Sequence, residues 1–200
     1  MTDHHAARPA ETFAALHRQD RPLLLPNAWD HASAALLHAH GFPAVGTTSL
    51  GVAAAAGLPD GVRATREETL RLAGTLGALP FLNARTDTYW LGNGEGTRER
   101  VLAYRDAGAD GVFVPGLTDL GAIAVFVRDL EECPLNVLYA PGGPSLARLG
   151  DHGVRRVSLG SLPYRRALGA ALDAVVAVRE GREAGEGTVP SYREVQELVG

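Results

Sequence analysis

Three polar residues share one face of a predicted strand near the middle of the chain. In the segment Pro-Phe-Leu-Asn-Ala-Arg-Thr-Asp-Thr-Tyr at residues 80–89, an extended backbone puts Asn83, Arg85 and Asp87 on the same side. The planar guanidinium of Arg85 could hold a substrate carboxylate or phosphate through two parallel hydrogen bonds, or it could form a plain ion pair with Asp87. We favour ligand binding because side chains at the carboxyl ends of parallel strands tend to face the ligand.

A run of three hydroxyl residues, Thr47, Thr48 and Ser49, ends another predicted strand and precedes a Gly/Ala-rich loop. Hydroxyls at a strand end suit an anion, but they are also typical of a turn that satisfies its own backbone, so both interpretations stay open. Two acidic residues nearby have simpler local interpretations. Asp30 is predicted to cap the helix that follows it, and Asp60 lies in a Pro-Asp-Gly turn.

Strands and helices must alternate along the chain to position these residues. Short apolar runs predict strands at residues 23–26, 44–46, 80–86, 111–115, 135–138 and 156–159. Helices are predicted at residues 9–19, 32–40, 65–77, 97–107, 119–130, 145–151, 163–180 and 192–198. This alternation favours an α/β fold with one parallel sheet wound by right-handed crossovers.

The composition excludes several classes of protein. The chain has 200 residues and a net charge of −4, and all 19 basic residues are arginine. Without a lysine amine, Schiff-base aldolase chemistry, pyridoxal phosphate attachment and a P-loop are excluded. There is no basic stripe for nucleic acid, no apolar run of membrane-spanning length and no disulfide framework, since Cys133 is the single cysteine.

These features predict a cytoplasmic protein with one main domain at residues 1–181. A flexible Gly-rich segment and a short helix are predicted at residues 182–200. The histidines on or beside predicted helices, His17 among them, show no spacing suited to zinc and are expected at the surface.

Five motifs occur in an order that resembles one superfamily. They are Pro-Asn-Ala-Trp-Asp at 26–30, Thr-Thr-Ser at 47–49 followed by Gly-Leu-Pro-Asp-Gly at 57–61, Asn-Ala-Arg-Thr-Asp at 83–87, Ala-Gly-Ala-Asp-Gly-Val-Phe-Val-Pro-Gly at 107–116 and Val-Ser-Leu-Gly at 157–160. Together they resemble the isocitrate lyase and phosphoenolpyruvate mutase superfamily, its phosphonomutase-like branch in particular. The similarity runs from about residue 13 to about residue 169.

The resemblance implies a TIM-barrel-like (β/α) fold and Mg²⁺ as cofactor. It also implies a lyase, mutase or hydrolase that acts on a C–C or C–P bond of a small 2-oxo carboxylate through an enolate. The implied substrate-binding residues are Thr47, Thr48, Ser49, Asn83 and Arg85. Of these, Thr48, Ser49 and Arg85 are the implied catalytic residues, and Asp60 would lie near the water shell of the metal.

The chain departs from the family pattern between residues 77 and 80. The resemblance implies two further strand-helix units there, carrying the principal metal carboxylates and a mobile catalytic loop, but only Ala78 and Leu79 intervene. We therefore expect a barrel truncated to about six parallel strands, with unpaired edges that favour a homo-oligomer and residues 182–200 as an oligomerisation arm. The alternative function is a catalytically inactive carboxylate-binding or structural remnant.

Overall fold

The computed structural model describes residues 9–60, 83–185, 187 and 189–198, which divide into two compact units. The first unit holds the described residues up to Leu25 and those from 83 to Ser158, and the second holds residues 26–60 and those from Leu159 onward. The predicted helix at 65–77 and the first residues of the predicted strand at 80–86 lie outside the described residues. The domain limits 1–181 and 182–200 stay a prediction.

Helices and strands alternate along most of the chain, as the sequence predicts. The first unit contains α1 (Pro9–Ala15) with a 3-10 turn (Leu16–Arg18), β1 (Leu23–Leu25), β4 (Asn83–Arg85), α4 (Thr88–Leu91), α5 (Thr97–Asp106), β5 (Gly111–Val114), α6 (Leu120–Leu130), β6 (Leu135–Leu138), α7 (Leu146–Asp151) and β7 (Arg156–Ser158). The second unit contains β2 (Asn27–Ala28), α2 (His31–Ala39), β3 (Gly46–Thr47), α3 (Ser49–Ala55), α8 (Leu162–Arg179) and α9 (Tyr192–Glu197). None of the helices described is long and apolar enough to cross a bilayer.

All described strands pair in parallel. The first unit has a five-stranded sheet in the order β1-β7-β6-β5-β4, so the first and last strands of this unit are neighbours. In the second unit β2 pairs with β3. The predicted α/β class is confirmed. The strand predicted at residues 23–26 is β1, and the short β2 follows it beyond Pro26, at residues where no strand is predicted.

One face of the five-stranded sheet is aliphatic and packs against helices. Alternate residues of the strands are buried in one cluster with the apolar side of α6: Val112, Val114, Leu135, Val137, Val157, Ile123, Phe126 and Leu130. Fully burying one such side chain contributes about 1.5–3 kcal/mol, so this cluster supplies much of the stability of the unit. The period of two in the strands leaves the intervening residues on the opposite face.

The opposite face of the same sheet carries polar residues. The strand register places Arg85 beside Phe113, Phe113 beside Asn136, and Asn136 beside Arg156. Asn136 Nδ2 donates to Ser158 Oγ at 3.0 Å, and that hydroxyl lies 3.2 Å from Asn136 Oδ1. Buried parallel strands are usually apolar on both faces, so one face of this sheet departs from the usual pattern.

Two helices occur where the sequence predicts none. Residues 49–55 form α3, because alanine is a strong helix former and Thr48 caps the helix through its hydroxyl. Residues 88–91 form the short α4, which begins directly after Asp87 and ends at Gly92. The predicted cap at Asp30 is confirmed, since Asp30 Oδ1 accepts a hydrogen bond from Ser33 N–H at 2.7 Å.

Candidate functional site

The three hydroxyl residues predicted to bind substrate lie at the carboxyl end of β3. Thr47 ends the strand and is exposed, and Ser49 is exposed at the first position of α3. Thr48 is buried between them, and its Oγ1 accepts a hydrogen bond from Gly51 N–H at 3.5 Å. The hydroxyl of Thr48 is therefore a helix cap, while those of Thr47 and Ser49 remain available to a ligand.

A buried side-chain amide joins this loop to the segment that follows β7. Asn27 Nδ2 donates to the carbonyl oxygen of Thr47 at 2.7 Å. Asn27 Oδ1 accepts from the N–H groups of Leu159 at 3.1 Å and Gly160 at 2.7 Å. Asn27 is 6% exposed, so these bonds are shielded from water and hold the three segments together.

A glycine allows α3 to pack closely against two aromatic residues. A Cβ atom at Gly51 would lie 2.7 Å from Thr48 Cγ2, 2.9 Å from Trp29 Cβ and 3.4 Å from Tyr164 Cβ. The rings of Trp29 and Tyr164 meet edge to face, with centroids 5.4 Å apart. Any larger residue at position 51 would displace the start of α3, so this glycine fixes the seating of the hydroxyl loop.

Arg85 ends β4 with a half-exposed guanidinium. Its Nε donates to Asp87 Oδ1 at 2.7 Å, and the side chains of Arg85 and Asp87 are 47% and 39% exposed. The guanidinium carbon also lies 5.4 Å from the ring centroid of Phe113, a cation–π contact. The ion pair that the sequence left open thus exists, but no described residue accepts a hydrogen bond from Arg85 Nη1 or Nη2.

Asn83 shares the strand and the face of Arg85 and is half-buried. Its Oδ1 atom is buried and has no hydrogen-bond partner within the described part of the chain. A buried acceptor without a donor costs about 1–3 kcal/mol, which a ligand donor would recover. The structure therefore places Asn83 and Arg85 together in the first unit and Thr47, Thr48 and Ser49 together in the second.

The magnesium site implied by the resemblance does not fit the described residues. Mg²⁺ requires several oxygen ligands, usually one or two carboxylates among them. Asp87 is already engaged by Arg85, and Asp60 lies exposed beyond α3. Among the described residues, no group of three His, Cys, Asp or Glu side chains could hold a metal ion. We therefore assign no step to a metal.

A buried histidine and arginine lie at the amino end of β7, in the first unit. His17 Nδ1 donates to the carbonyl oxygen of Phe13 at 3.0 Å, so its Nε2 accepts from Arg156 Nη1 at 3.4 Å. Burial and the positive charge of Arg156 lower the pKa of His17 from 6.5 to about 4. Burial also lowers the pKa of Arg156 to about 10. The expected surface position of His17 is wrong, and this residue is a neutral structural link at pH 7.

Sequence reasoning missed the roles of Asn27 and Gly51. In the sequence Asn27 stands out only as a member of a motif. Its amide lies between an apolar run and a helix, where it must find hydrogen-bond partners if it is buried. Gly51 resembles any other glycine of an alanine-rich segment. Nothing in the sequence shows that Trp29 and Tyr164 meet there.

Comparisons with known proteins agree on one family. The sequence model of the phosphoenolpyruvate phosphomutase family matches residues 13–80 and 75–179, two segments that meet where the missing units are expected. An uncharacterised protein of Mycobacterium tuberculosis is 37% identical over 235 residues, covering 86% of this chain and 90% of that protein. The alignment has 235 positions but contains only about 172 residues of this chain, which is 86% of 200. The other positions, about 63, are therefore gaps in this chain. Both findings support the internal deletion.

Solved structures share the fold over nearly the whole chain. A structure assigned as a lyase or mutase, from Burkholderia cenocepacia J2315, is 31% identical with a TM-score of 0.79, and 96% of each chain is covered. Oxaloacetate acetylhydrolase in complex with its product oxalate has a TM-score of 0.79 and covers 95% of this chain and 93% of that chain. At 18% identity it supports the fold alone. With the family match over residues 13–179 and these likenesses, the chain has a TIM-barrel-like α/β fold and belongs to the phosphoenolpyruvate mutase and isocitrate lyase superfamily.

Proposed function

We propose that this chain binds a small 2-oxo carboxylate and acts on a C–C or C–P bond beside the oxo group, as a lyase, mutase or hydrolase. The observation that carries the proposal is the half-exposed guanidinium of Arg85 at the carboxyl end of a parallel strand. Its Nε is held by Asp87, while Nη1 and Nη2 have no acceptor among the described residues. These two nitrogens form a fork that matches the two oxygens of a carboxylate.

The chemistry requires donors for the charge that develops on the oxo group. Breaking a bond beside a carbonyl produces an enolate, and hydrogen-bond donors aimed at its oxygen lower the barrier. Within the second unit, the exposed hydroxyls of Thr47 and Ser49 are donors of this kind. Superfamily members are typically Mg²⁺-dependent, whereas the described residues of this chain offer hydroxyl donors for this role.

A titration with oxalate tests the proposal, because oxalate mimics the enolate of a 2-oxo acid and is the product seen with oxaloacetate acetylhydrolase. Calorimetry, with and without millimolar Mg²⁺ or Mn²⁺, should show that the wild type binds oxalate. The Arg85→Lys variant should bind oxalate more weakly under the same conditions. Turnover is then measured with oxaloacetate and with a phosphono-2-oxo acid. Absence of oxalate binding under every metal condition would refute the carboxylate site.

The second candidate function is carboxylate binding without turnover. It is favoured by one observation, that the described residues contain no acidic cluster able to hold a metal ion. Oxalate binding by a protein that converts none of the 2-oxo acids tested would support this function over the first.

We also propose that a second copy of the chain is a partner. On α8 the side chains of Leu168, Leu172, Val175 and Val178 are each more than half exposed. At 100° per residue they lie within an arc of about 120°, so they form one apolar stripe. A contiguous exposed stripe of this kind is typical of an interaction surface. The role of residues 182–200 as an arm stays a prediction.

A further inference from the structure

The amide of Asn27 has an orientation that its surroundings determine. Its Oδ1 accepts two backbone N–H groups, those of Leu159 and Gly160, which leaves Nδ2 to donate to Thr47. If the amide were rotated by half a turn, its NH₂ group would face the N–H groups of Leu159 and Gly160, and its oxygen would face the carbonyl oxygen of Thr47. Gly160 has a φ of 57°, in the left-handed region that favours glycine, and this turn helps to direct both N–H groups at one oxygen.

The peptide group between Thr47 and Thr48 is held at both of its polar atoms. Its carbonyl oxygen accepts from Asn27 Nδ2 at 2.7 Å. Its N–H, which belongs to Thr48, donates to the carbonyl oxygen of Ala28 at 3.2 Å. A peptide group is planar, so two such bonds fix its orientation. Thr47, which contributes the carbonyl group of this fixed peptide, and Ser49, which follows Thr48 in the chain, both have exposed side chains.

We propose that Asn27 is a positioning residue for carboxylate binding. By anchoring the Thr47–Thr48 peptide to Leu159 and Gly160, it holds the hydroxyls of Thr47 and Ser49 where a ligand can meet both without first ordering the loop. Preorganised donors bind more tightly because their ordering cost is already met in the unliganded protein. The inference rests on the proposed function, since it takes these two hydroxyls as ligand donors.

The Asn27→Asp variant separates the two halves of the anchor. A carboxylate still accepts from the N–H groups of Leu159 and Gly160, but it has no hydrogen to donate to Thr47 and repels that carbonyl oxygen. We expect the Kd for oxalate to rise at least about tenfold, the equivalent of about 1.4 kcal/mol. Amide hydrogen exchange at Thr48 should become at least about tenfold faster, since its peptide group has lost one of two bonds.

The matched control is Asn136→Asp. Asn136 is also a buried asparagine, 2% exposed, and its hydrogen bonds go to Ser158 in the first unit rather than to the hydroxyl loop. This variant introduces the same buried charge, so it should lower the unfolding midpoint in urea to a similar degree. It should leave the Kd for oxalate and the exchange rate at Thr48 within twofold of the wild type.

A second variant and one measurement on the wild type cover the case in which Asn27→Asp does not fold. Asn27→Gln keeps the donor and the acceptor but moves both by one methylene, so it should weaken oxalate binding with a smaller loss of stability. In the wild type, saturating oxalate should slow exchange at Thr48 and leave exchange at Asn136 unchanged.

The outcomes distinguish this inference from the proposed function. If the wild type binds no oxalate, the proposed function fails and the inference fails with it, whatever the exchange data show. If the wild type binds oxalate and Asn27→Asp accelerates Thr48 exchange without changing the Kd, Asn27 is only structural and the inference is wrong. Unchanged exchange at Thr48 would refute the anchor itself.

Discussion

Replacing Glu131 with glycine should stabilise the protein, because the backbone at this position has a conformation that glycine adopts readily. Glu131 follows α6 with φ 55° and ψ −114°, and it is the one non-glycine residue with positive φ in the described ranges. These angles match the first central position of a type II′ turn, where glycine dominates. The turn is closed by a hydrogen bond from Cys133 N–H to the carbonyl oxygen of Leu130 at 3.0 Å.

The expected gain follows from two opposing effects. Strain of this kind at a non-glycine residue costs about 1–3 kcal/mol. Glycine offsets about 0.5–1 kcal/mol of this gain, because it raises the conformational entropy of the unfolded chain. The carboxylate of Glu131 contributes little, because its distance of 4.0 Å from Arg105 Nη1 describes a loose and exposed pair. The net stabilisation should therefore be about 0.5–2 kcal/mol.

Urea denaturation followed by circular dichroism measures this gain, provided that the m value is unchanged. Two controls isolate the backbone effect. Glu131→Ala removes the same carboxylate but keeps a β carbon at the strained position, so it should give no comparable gain. Glu132→Gly places glycine at the next position, which has no positive φ, and should cost about 0.5–1 kcal/mol. If Glu131→Gly is no more stable than Glu131→Ala, the strain argument is wrong.

Three further predictions concern the site, the buried histidine and the assembly. Arg85→Lys keeps the charge but loses the fork, so calorimetry should show an oxalate affinity lower by about 1.5–3 kcal/mol, with Arg128→Lys as an exposed-arginine control that changes nothing. Between pH 6.5 and 4, His17 is protonated in the unfolded chain but stays neutral in the folded protein, because its pKa in the folded protein is about 4. The free energy of unfolding should therefore fall by about 2 kcal/mol as the pH is lowered across this window, allowing for partial solvent screening. A His17→Gln variant with the same pH profile in acid titration by circular dichroism would contradict that explanation. Leu172→Glu, in the apolar stripe of α8, should shift the protein to monomers in light scattering with its circular dichroism unchanged, and an unaltered mass would count against a homo-oligomer through this face.

Much of the fold follows from the sequence because burial imposes a period on it. The strands lie in the short apolar runs that predict them, and within two of those runs the residues that face the core are two positions apart: Val112 and Val114, and Leu135 and Val137. The helices missed at residues 49–55 and 88–91 lack such a period. Their formation depends on local effects, such as the hydroxyl of Thr48 capping α3, that compete closely with turn formation.

The candidate site was predictable where the strand itself displays the residue. Arg85 and Asn83 are found by alternation, and the pairing of Arg85 with Asp87 is one of the two arrangements that the spacing allows. The role of Asn27 was not predictable, because its partners Leu159 and Gly160 are more than 130 positions away in the chain. Its hydrogen bonds also go to backbone atoms, which nearly every residue type provides, so the partner residues cannot be recognised by their side chains.

The neighbouring positions of β1 and β7 have a consequence for how the chain is made. Leu23 pairs with Arg156, which is 133 positions later, whereas β5, β6 and β7 can each pair with the strand completed just before it. At a synthesis rate of about 5–20 residues per second, Arg156 is joined to the chain roughly 7–27 s after Leu23. Throughout that interval an apolar Leu-Leu-Leu strand has no neighbour in this sheet. Among the described strands of this sheet, the first to be synthesised is thus the last to gain its neighbour, and it is exposed to chaperones and proteases for longer than β4 to β7 are.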